Sequence, residues 1–162
     1  MIAIAAVDRN WGIGFEGRLL TTIPEDQKNF RRITLGKTVI LGRKTLDTFP
    51  GKRPLSQRDN IILSRDISLE IPGACVVHSP EEALSVTSDL DPDDIFVIGG
   101  SSVYKLFLPY TDKAYITKID HSFNADSYFP DLDRDPEWEI TETGEEMTSF
   151  DLAYHFMTYK RK

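Results

Sequence analysis

The chain has a single cysteine, Cys75, among 162 residues, which excludes an internal disulfide and any cysteine cluster for zinc. The apolar stretch around Cys75 marks it as a plain core thiol. No apolar run approaches the roughly 18 residues that span a bilayer, and the start Met1-Ile2-Ala3-Ile4 lacks the basic opening of a secretory signal. A cytoplasmic location is therefore expected. There is no internal repeat, no low-complexity segment and no heptad or spare apolar stripe, so the chain is expected to be a monomer. Positive charge is in short supply: 19 Lys and Arg against 26 Asp and Glu give a net charge of −7. That balance argues against general affinity for nucleic acid or an anionic membrane. At 40% hydrophobic, the length suits one domain over residues 1–162, burying about two-thirds of its unfolded surface in one core.

The scarce positive charge is concentrated. From Lys28 to Arg65 the cations Lys28, Arg31, Arg32, Lys37, Arg43, Lys44, Lys52, Arg53, Arg58 and Arg65 face only Asp47 and Asp59. A charge run is by default a solvated face. Many of these cations, however, sit at strand ends and turns, where open α/β sheets bind ligands, and a small anion would suit them.

The runs Ile2–Val7, Thr38–Leu41, Asn60–Ser64, Ala74–Val77, Ile95–Ile98 and Ala114–Ile119 read as short strands, mostly buried on both faces. Ser79-Pro80-Glu81-Glu82 has the cap, first-position proline and first-turn acids of a helix. The end of the chain offers two further strands, Trp138–Thr143 and Asp151–Tyr159, joined by a polar turn. Helical crossovers followed by a hairpin imply a mainly parallel sheet with an antiparallel edge. Between Trp11 and Leu20 lies a loop with three glycines and several large apolar residues, which reads either as a lid or as a compact loop packed on itself.

Two strand-to-helix turns carry anion-binding chemistry. Gly42-Arg43-Lys44-Thr45 combines backbone N–H groups with charge and a hydroxyl, but without the spacing of a P-loop, which sets ATP hydrolysis aside. Gly99-Gly100-Ser101-Ser102-Val103-Tyr104 places two glycines where backbone can approach a ligand. It is not the GxGxxG fingerprint, and a tight turn is its structural alternative.

The stretch Thr22–Phe30 is where the chemistry is expected. Thr22 and Glu25 have capping-box spacing, and Pro24 fits a first helical turn. A helix running toward Gly36 puts Ile23, Asp26, Phe30 and Ile33 on one face. By position alone Asp26 could be a first-turn acid stabilised by the helix dipole. On an apolar face, however, it needs a cationic or hydrogen-bonding partner, and a ligand can supply one.

In order, these residues resemble bacterial dihydrofolate reductases over essentially the whole length. The motifs are Ala5-Ala6 with Gly12-Ile13-Gly14, Ile23-Pro24-Glu25-Asp26 with Phe30, Val39–Thr45, Arg58–Ser64, Val97-Ile98-Gly99-Gly100 with Tyr104, Tyr115-Ile116-Thr117, and Asp126 with Phe129-Pro130. The resemblance implies a three-layer α/β fold: a central, mainly parallel eight-stranded sheet with an antiparallel C-terminal edge strand and flanking helices. It implies hydride transfer from NADPH to C6 of 7,8-dihydrofolate with protonation of N5, giving tetrahydrofolate for one-carbon metabolism, with no metal.

Carried over residue by residue, the resemblance assigns the catalytic roles to Asp26, Thr117 and Leu19. Asp26 holds the pterin N3 and 2-amino group, Thr117 supports that contact, and Leu19 gates solvent on the glycine-rich loop. Ile4, Ala5, Ala6, Gln27, Phe30, Phe49, Leu55, Ile98 and Tyr104 line the substrate pocket, and Arg58 pairs with the α-carboxylate of the substrate's glutamate. For NADPH it implies Ala6, Ile13, Gly14, Gly42 and Leu63, with Arg43, Lys44, Thr45, Ser64 and Arg65 around the 2′-phosphate. Ile98, Gly99, Gly100, Ser101, Ser102, Val103 and Tyr104 bind nearer the pyrophosphate, and the Gly99-Gly100 bond is expected to be cis.

Two departures from the family pattern bear on the pocket. Leu20-Thr21 stands where the family usually has Pro-Trp, and Gln27 where an apolar residue is common. Both point to weaker binding of diaminopyrimidines such as trimethoprim. The alternatives are a related pyrimidine reductase of riboflavin synthesis, which has no need of Asp26, Phe30 and Arg58 together, and a non-catalytic NADPH-binding protein.

Overall fold

Short apolar runs can bury both faces only inside a sheet, and here they do so. In a computed structural model that describes residues 1–162, the elements in chain order begin with β1 (Ile2–Val7), β2 (Gly12–Phe15), β3 (Arg18–Leu19), α1 (Pro24–Thr34), β4 (Thr38–Gly42) and α2 (Arg43–Leu46). Next come β5 (Asp59–Leu63), β6 (Ala74–Val77), α3 (Pro80–Val86), β7 (Ile95–Gly99), α4 (Ser101–Phe107) and β8 (Lys113–Ile119). The chain ends with β9 (Ser127–Tyr128), β10 (Trp138–Thr143), β11 (Met147–Ser149) and β12 (Leu152–Arg161).

Eight strands form one sheet in the order β10-β12-β8-β1-β7-β4-β5-β6, and short β11 pairs with β12 beside that path. The pairings from β8 across to β6 are parallel. β12 runs antiparallel to β8, and β10 antiparallel to β12; the polar turn expected between β10 and β12 contains the short strand β11, which also pairs with β12. The two faces alternate along each strand. On one face, Ala3 and Val7 of β1 and Val97 of β7 pack with Ala83 of α3 and with Val103, Tyr104 and Phe107 of α4. On the other, Ile2 and Ile4 of β1 and Val39 and Leu41 of β4 pack with Leu46 of α2 and with Phe30 and Ile33 of α1. The result is three layers with β1 in the middle.

Three expectations need correction. The capping box does not form: α1 begins at Pro24 with Ile23 at the cap position and no side-chain cap bond. Ile23 is buried against Ile119 and Tyr154, and that burial sets the helix entry in place of Thr22. Cys75 is exposed and not a core thiol, because β6 is an edge strand and is covered less than the inner strands. The glycine-rich stretch is not a loop throughout. It folds into the antiparallel pair β2-β3, which joins β9 in a second sheet of three strands.

Ile62 on β5 is fully buried in the layer below α1 and α2. Ile62→Ala is expected to cost about 2–5 kcal/mol, read as a lower urea midpoint with an unchanged denaturant slope.

Candidate active site

Helix α1 crosses the face of the sheet that carries Ile4 and Leu41, held by Ile23 at its start and by Phe30 and Ile33 further along. This turns Asp26 inward toward β8. There the Thr117 hydroxyl donates to Asp26 Oδ1 at 2.5 Å. Thr117 is itself fixed opposite Ala6 by the parallel β1-β8 register. Burial pushes the Asp26 carboxyl above its ordinary range, and the Thr117 bond opposes that shift only in part. No cation pairs with Asp26, and its Oδ2 receives no hydrogen bond from the protein. A half-buried carboxylate with a free oxygen is suited to a ligand that brings N–H donors.

Next to Asp26, the Tyr104 hydroxyl donates to the Ile4 carbonyl at 2.6 Å. Burial, reinforced by the charge of Asp26, raises the phenol far above its usual range, so Tyr104 remains a neutral donor. Phe30, Phe49, Leu55 and Ile98 pack against the cluster that contains Ile4 and form an apolar wall. Beyond the wall, the Arg58 guanidinium donates to the Ser56 carbonyl at 2.9 Å and to Thr34 Oγ1 at 3.1 Å. Burial and the nearby Arg31 both disfavour its charge, and no carboxylate of the protein neutralises it. Gln27 lies exposed on α1, while Leu20 and Thr21 are half-buried where the chain enters the helix.

The two predicted anion-binding turns come together, because β4 and β7 are neighbours with Leu41 opposite Gly99. The starts of α2 and α4 therefore lie side by side at the carboxyl ends of the strands. Gly99 has φ +126, and the Gly99-Gly100 bond is cis. A Cβ added at Gly42 would stand 3.0 Å from Val103 Cγ2, and one at Gly100 would stand 3.4 Å from Thr45 Oγ1. This floor of bare backbone, with exposed Arg43, Lys44 and Arg65 beside it, fits the phosphates of a dinucleotide. Arg43 also pairs with Asp47 at 3.6 Å.

Ile13 and Gly14 lie on β2, and Leu19 lies on β3 with 72% of its surface exposed. Gly12-Ile13-Gly14-Phe15-Glu16-Gly17 spells GxGxxG. It occupies a hairpin and not a strand-to-helix turn, so the match is without the context that gives that motif its meaning. The sequence reading missed Asp8, which is fully buried, and Trp11, which is buried with φ +63. Asp8 closes an Asx turn onto the Asn10 N–H, which no feature of the local sequence distinguishes from an ordinary turn after a strand.

Because the folded-state pKa of Asp26 is raised, the native state holds its proton to higher pH than the unfolded chain does. This group therefore lowers stability as pH climbs from the ordinary carboxylate range through the raised value. Asp26→Asn is expected to raise the melting temperature of the ligand-free protein at pH 7, with the gain vanishing below the ordinary carboxylate range. Calorimetry across pH checks it.

Comparison with known proteins places this geometry. The family model described as dihydrofolate reductase matches residues 1–161. The dihydrofolate reductase of Bacillus subtilis is 36% identical over 163 residues, covering 98% of this chain and 93% of the relative. That of Mycobacterium tuberculosis is 40% identical over 158 residues, covering 92% and 90%. The structure of dihydrofolate reductase from Enterococcus faecalis complexed with NADP(H) and RAB-propyl superposes with a TM-score of 0.88 at 35% identity, covering 99% of this chain and 95% of that one. The chain belongs to the dihydrofolate reductase family, whose members are NADPH-dependent oxidoreductases.

Proposed function

We propose that this chain, acting as one domain and as a cytoplasmic monomer, reduces 7,8-dihydrofolate to tetrahydrofolate with NADPH and so supplies one-carbon metabolism. The observation that carries the reading is Asp26, inward-facing, fixed by Thr117 and with one oxygen free of protein donors. A pterin edge with two adjacent N–H donors meets that demand. NADPH supplies the hydride when bound.

The chain's own residues do the rest. Asp26 orients the ring and favours its protonated form at N5 through negative charge held in a water-poor setting. Tyr104 fixes the Ile4 carbonyl toward the same space. Phe30, Phe49 and Leu55 enclose the middle of the substrate, and Arg58 forms a bidentate pair with its α-carboxylate. Gly42, Gly99 and Gly100 with the starts of α2 and α4 hold the pyrophosphate; Thr45, whose Oγ1 lies beside Gly100, joins them and not the 2′-phosphate cluster of Arg43, Lys44, Ser64 and Arg65. Ile13 and Gly14 border the reacting ring from β2, and Leu19 on the exposed hairpin controls solvent entry.

NADPH consumption with dihydrofolate tests the reading. Clear turnover is expected, with Asp26→Asn slower by about 10²-fold or more near neutral pH. Equal rates would remove Asp26 from the mechanism, and NADPH binding without folate turnover would favour the non-catalytic alternative. A second measurement concerns Thr21 and Gln27. Trimethoprim is expected to bind less tightly than to family members that carry Pro-Trp, and Thr21→Trp is expected to lower its inhibition constant. A parent constant already in the range of sensitive bacterial enzymes would count against this.

A further inference from the structure

Asp8 is a carboxylate with none of its surface exposed, and no cation pairs with it. Such a group is costly unless hydrogen bonds replace its water. Three backbone N–H groups do so: those of Asn10 at 2.9 Å and Gly12 at 2.8 Å donate to Oδ1, and that of Phe123 at 3.0 Å donates to Oδ2. The first two belong to the segment entering β2, and the third to the loop entering β9, 115 residues away.

We infer that Asp8 is a positioning residue for the proposed reaction: its buried carboxylate fastens the roots of the two loops to one another and so sets where Ile13 and Gly14 stand beside the site. The inference rests on the proposed reading for its kinetic consequence, whereas the fastening stands on contacts alone.

The surroundings enforce the same geometry. The Asp8 N–H donates to the Gly12 carbonyl at 3.0 Å, the Trp11 N–H to the Asp8 carbonyl at 3.1 Å, and the Arg9 N–H to the His121 carbonyl at 3.0 Å. The turn places Trp11 at φ +63, a conformation that a bulky residue keeps only where its neighbours over-determine it. The Trp11 ring stacks on Phe129 with centroids 5.8 Å apart and meets the edge of Tyr159 at 5.6 Å. A Cβ at Gly12 would stand 2.7 Å from Ala125 Cβ and 3.0 Å from Asp8 Oδ1, so both loops close on a glycine. Further along, the same loops are joined by the β2-β9 pairing of Gly12 with Tyr128 and Gly14 with Ser127, by the Asp126 N–H to the Gly14 carbonyl at 2.9 Å and, at the tip, by the Glu16 N–H to Asp126 Oδ2 at 2.9 Å, which is exposed. Water competes more for that last bond than for those of Asp8, whose carboxylate is fully buried.

Asp8→Asn keeps the shape but leaves one acceptor oxygen for N–H groups that approach from two sides, so one loop must face an amide NH₂. The expected result is a single-turnover hydride-transfer rate lower by about tenfold or more, with KM for dihydrofolate changed by less than about threefold. Amide exchange at Gly12 or Phe123 should quicken by at least about tenfold. A variant with a lower melting temperature but the parent's transfer rate would make Asp8 merely structural and overturn the inference, as would unchanged exchange at both amides.

If Asp8→Asn does not fold, Gly12→Ala combined with Ala125→Gly relieves the methyl contact at residue 125 while still crowding Asp8. The same loss of rate supports the inference, and the parent's rate overturns it. Should the parent bind NADPH but leave dihydrofolate untouched, the proposed function fails, and the exchange measurement still decides whether Asp8 ties the loops.

Discussion

The site is referred to β1, which is hydrogen-bonded to β8 along one edge and to β7 along the other. A strand buried on both faces cannot slip by one residue without exchanging the two sets of side chains it presents. The register that sets Ala6 opposite Thr117 therefore also decides that Thr117 faces α1, and with it that Asp26 has a donor. The Ile4 carbonyl, the Tyr104 hydroxyl below it and the Gly99 turn on the next strand all inherit their places from the same ladder. A change in β1 that altered its register would dismantle the substrate end and the dinucleotide end together.

The fold was legible wherever the controlling physics is local. Apolar runs of strand length, the Ser79-Pro80 helix start and the glycine turns after β4 and β7 each carry their signal within a few residues. What was not legible depends on partners far away in sequence. Thr22 and Glu25 have the right spacing, yet Ile23 packing against β8 and β12 decides where the helix begins. β2 and β3 are short and glycine-rich, and their stability as strands comes from β9, more than 100 residues later. The apolar letters around Cys75 do not reveal that its strand lies at an edge of the sheet. Asp26 was legible because it interrupts an apolar stripe. Asp8 was not, because an aspartate at the end of a strand looks like any turn residue.

The site also shows where stability was given up. Asp26 is held in a place that resists its charge, Oδ2 has no protein donor, and Arg58 is partly desolvated near Arg31. Such features weaken a ligand-free protein and persist where a bound molecule uses them. The layers beneath absorb the cost. Tyr154, Phe107, Ile40 and Leu41 are among the largest fully buried side chains, and they lie in the sheet and its helices.

The nearness of Arg31 and Arg58 has a consequence beyond recognition. Two guanidiniums held close without a carboxylate between them repel one another in the ligand-free chain, the more so as Arg58 is partly withdrawn from water. A bound anion relieves that repulsion, so part of the affinity is returned as resistance to unfolding. On the proposed assignment of Arg58 to the substrate's α-carboxylate, occupancy is then a form of protection: abundant substrate would lengthen the survival of this protein against heat and proteases, and depletion would leave it more exposed to both.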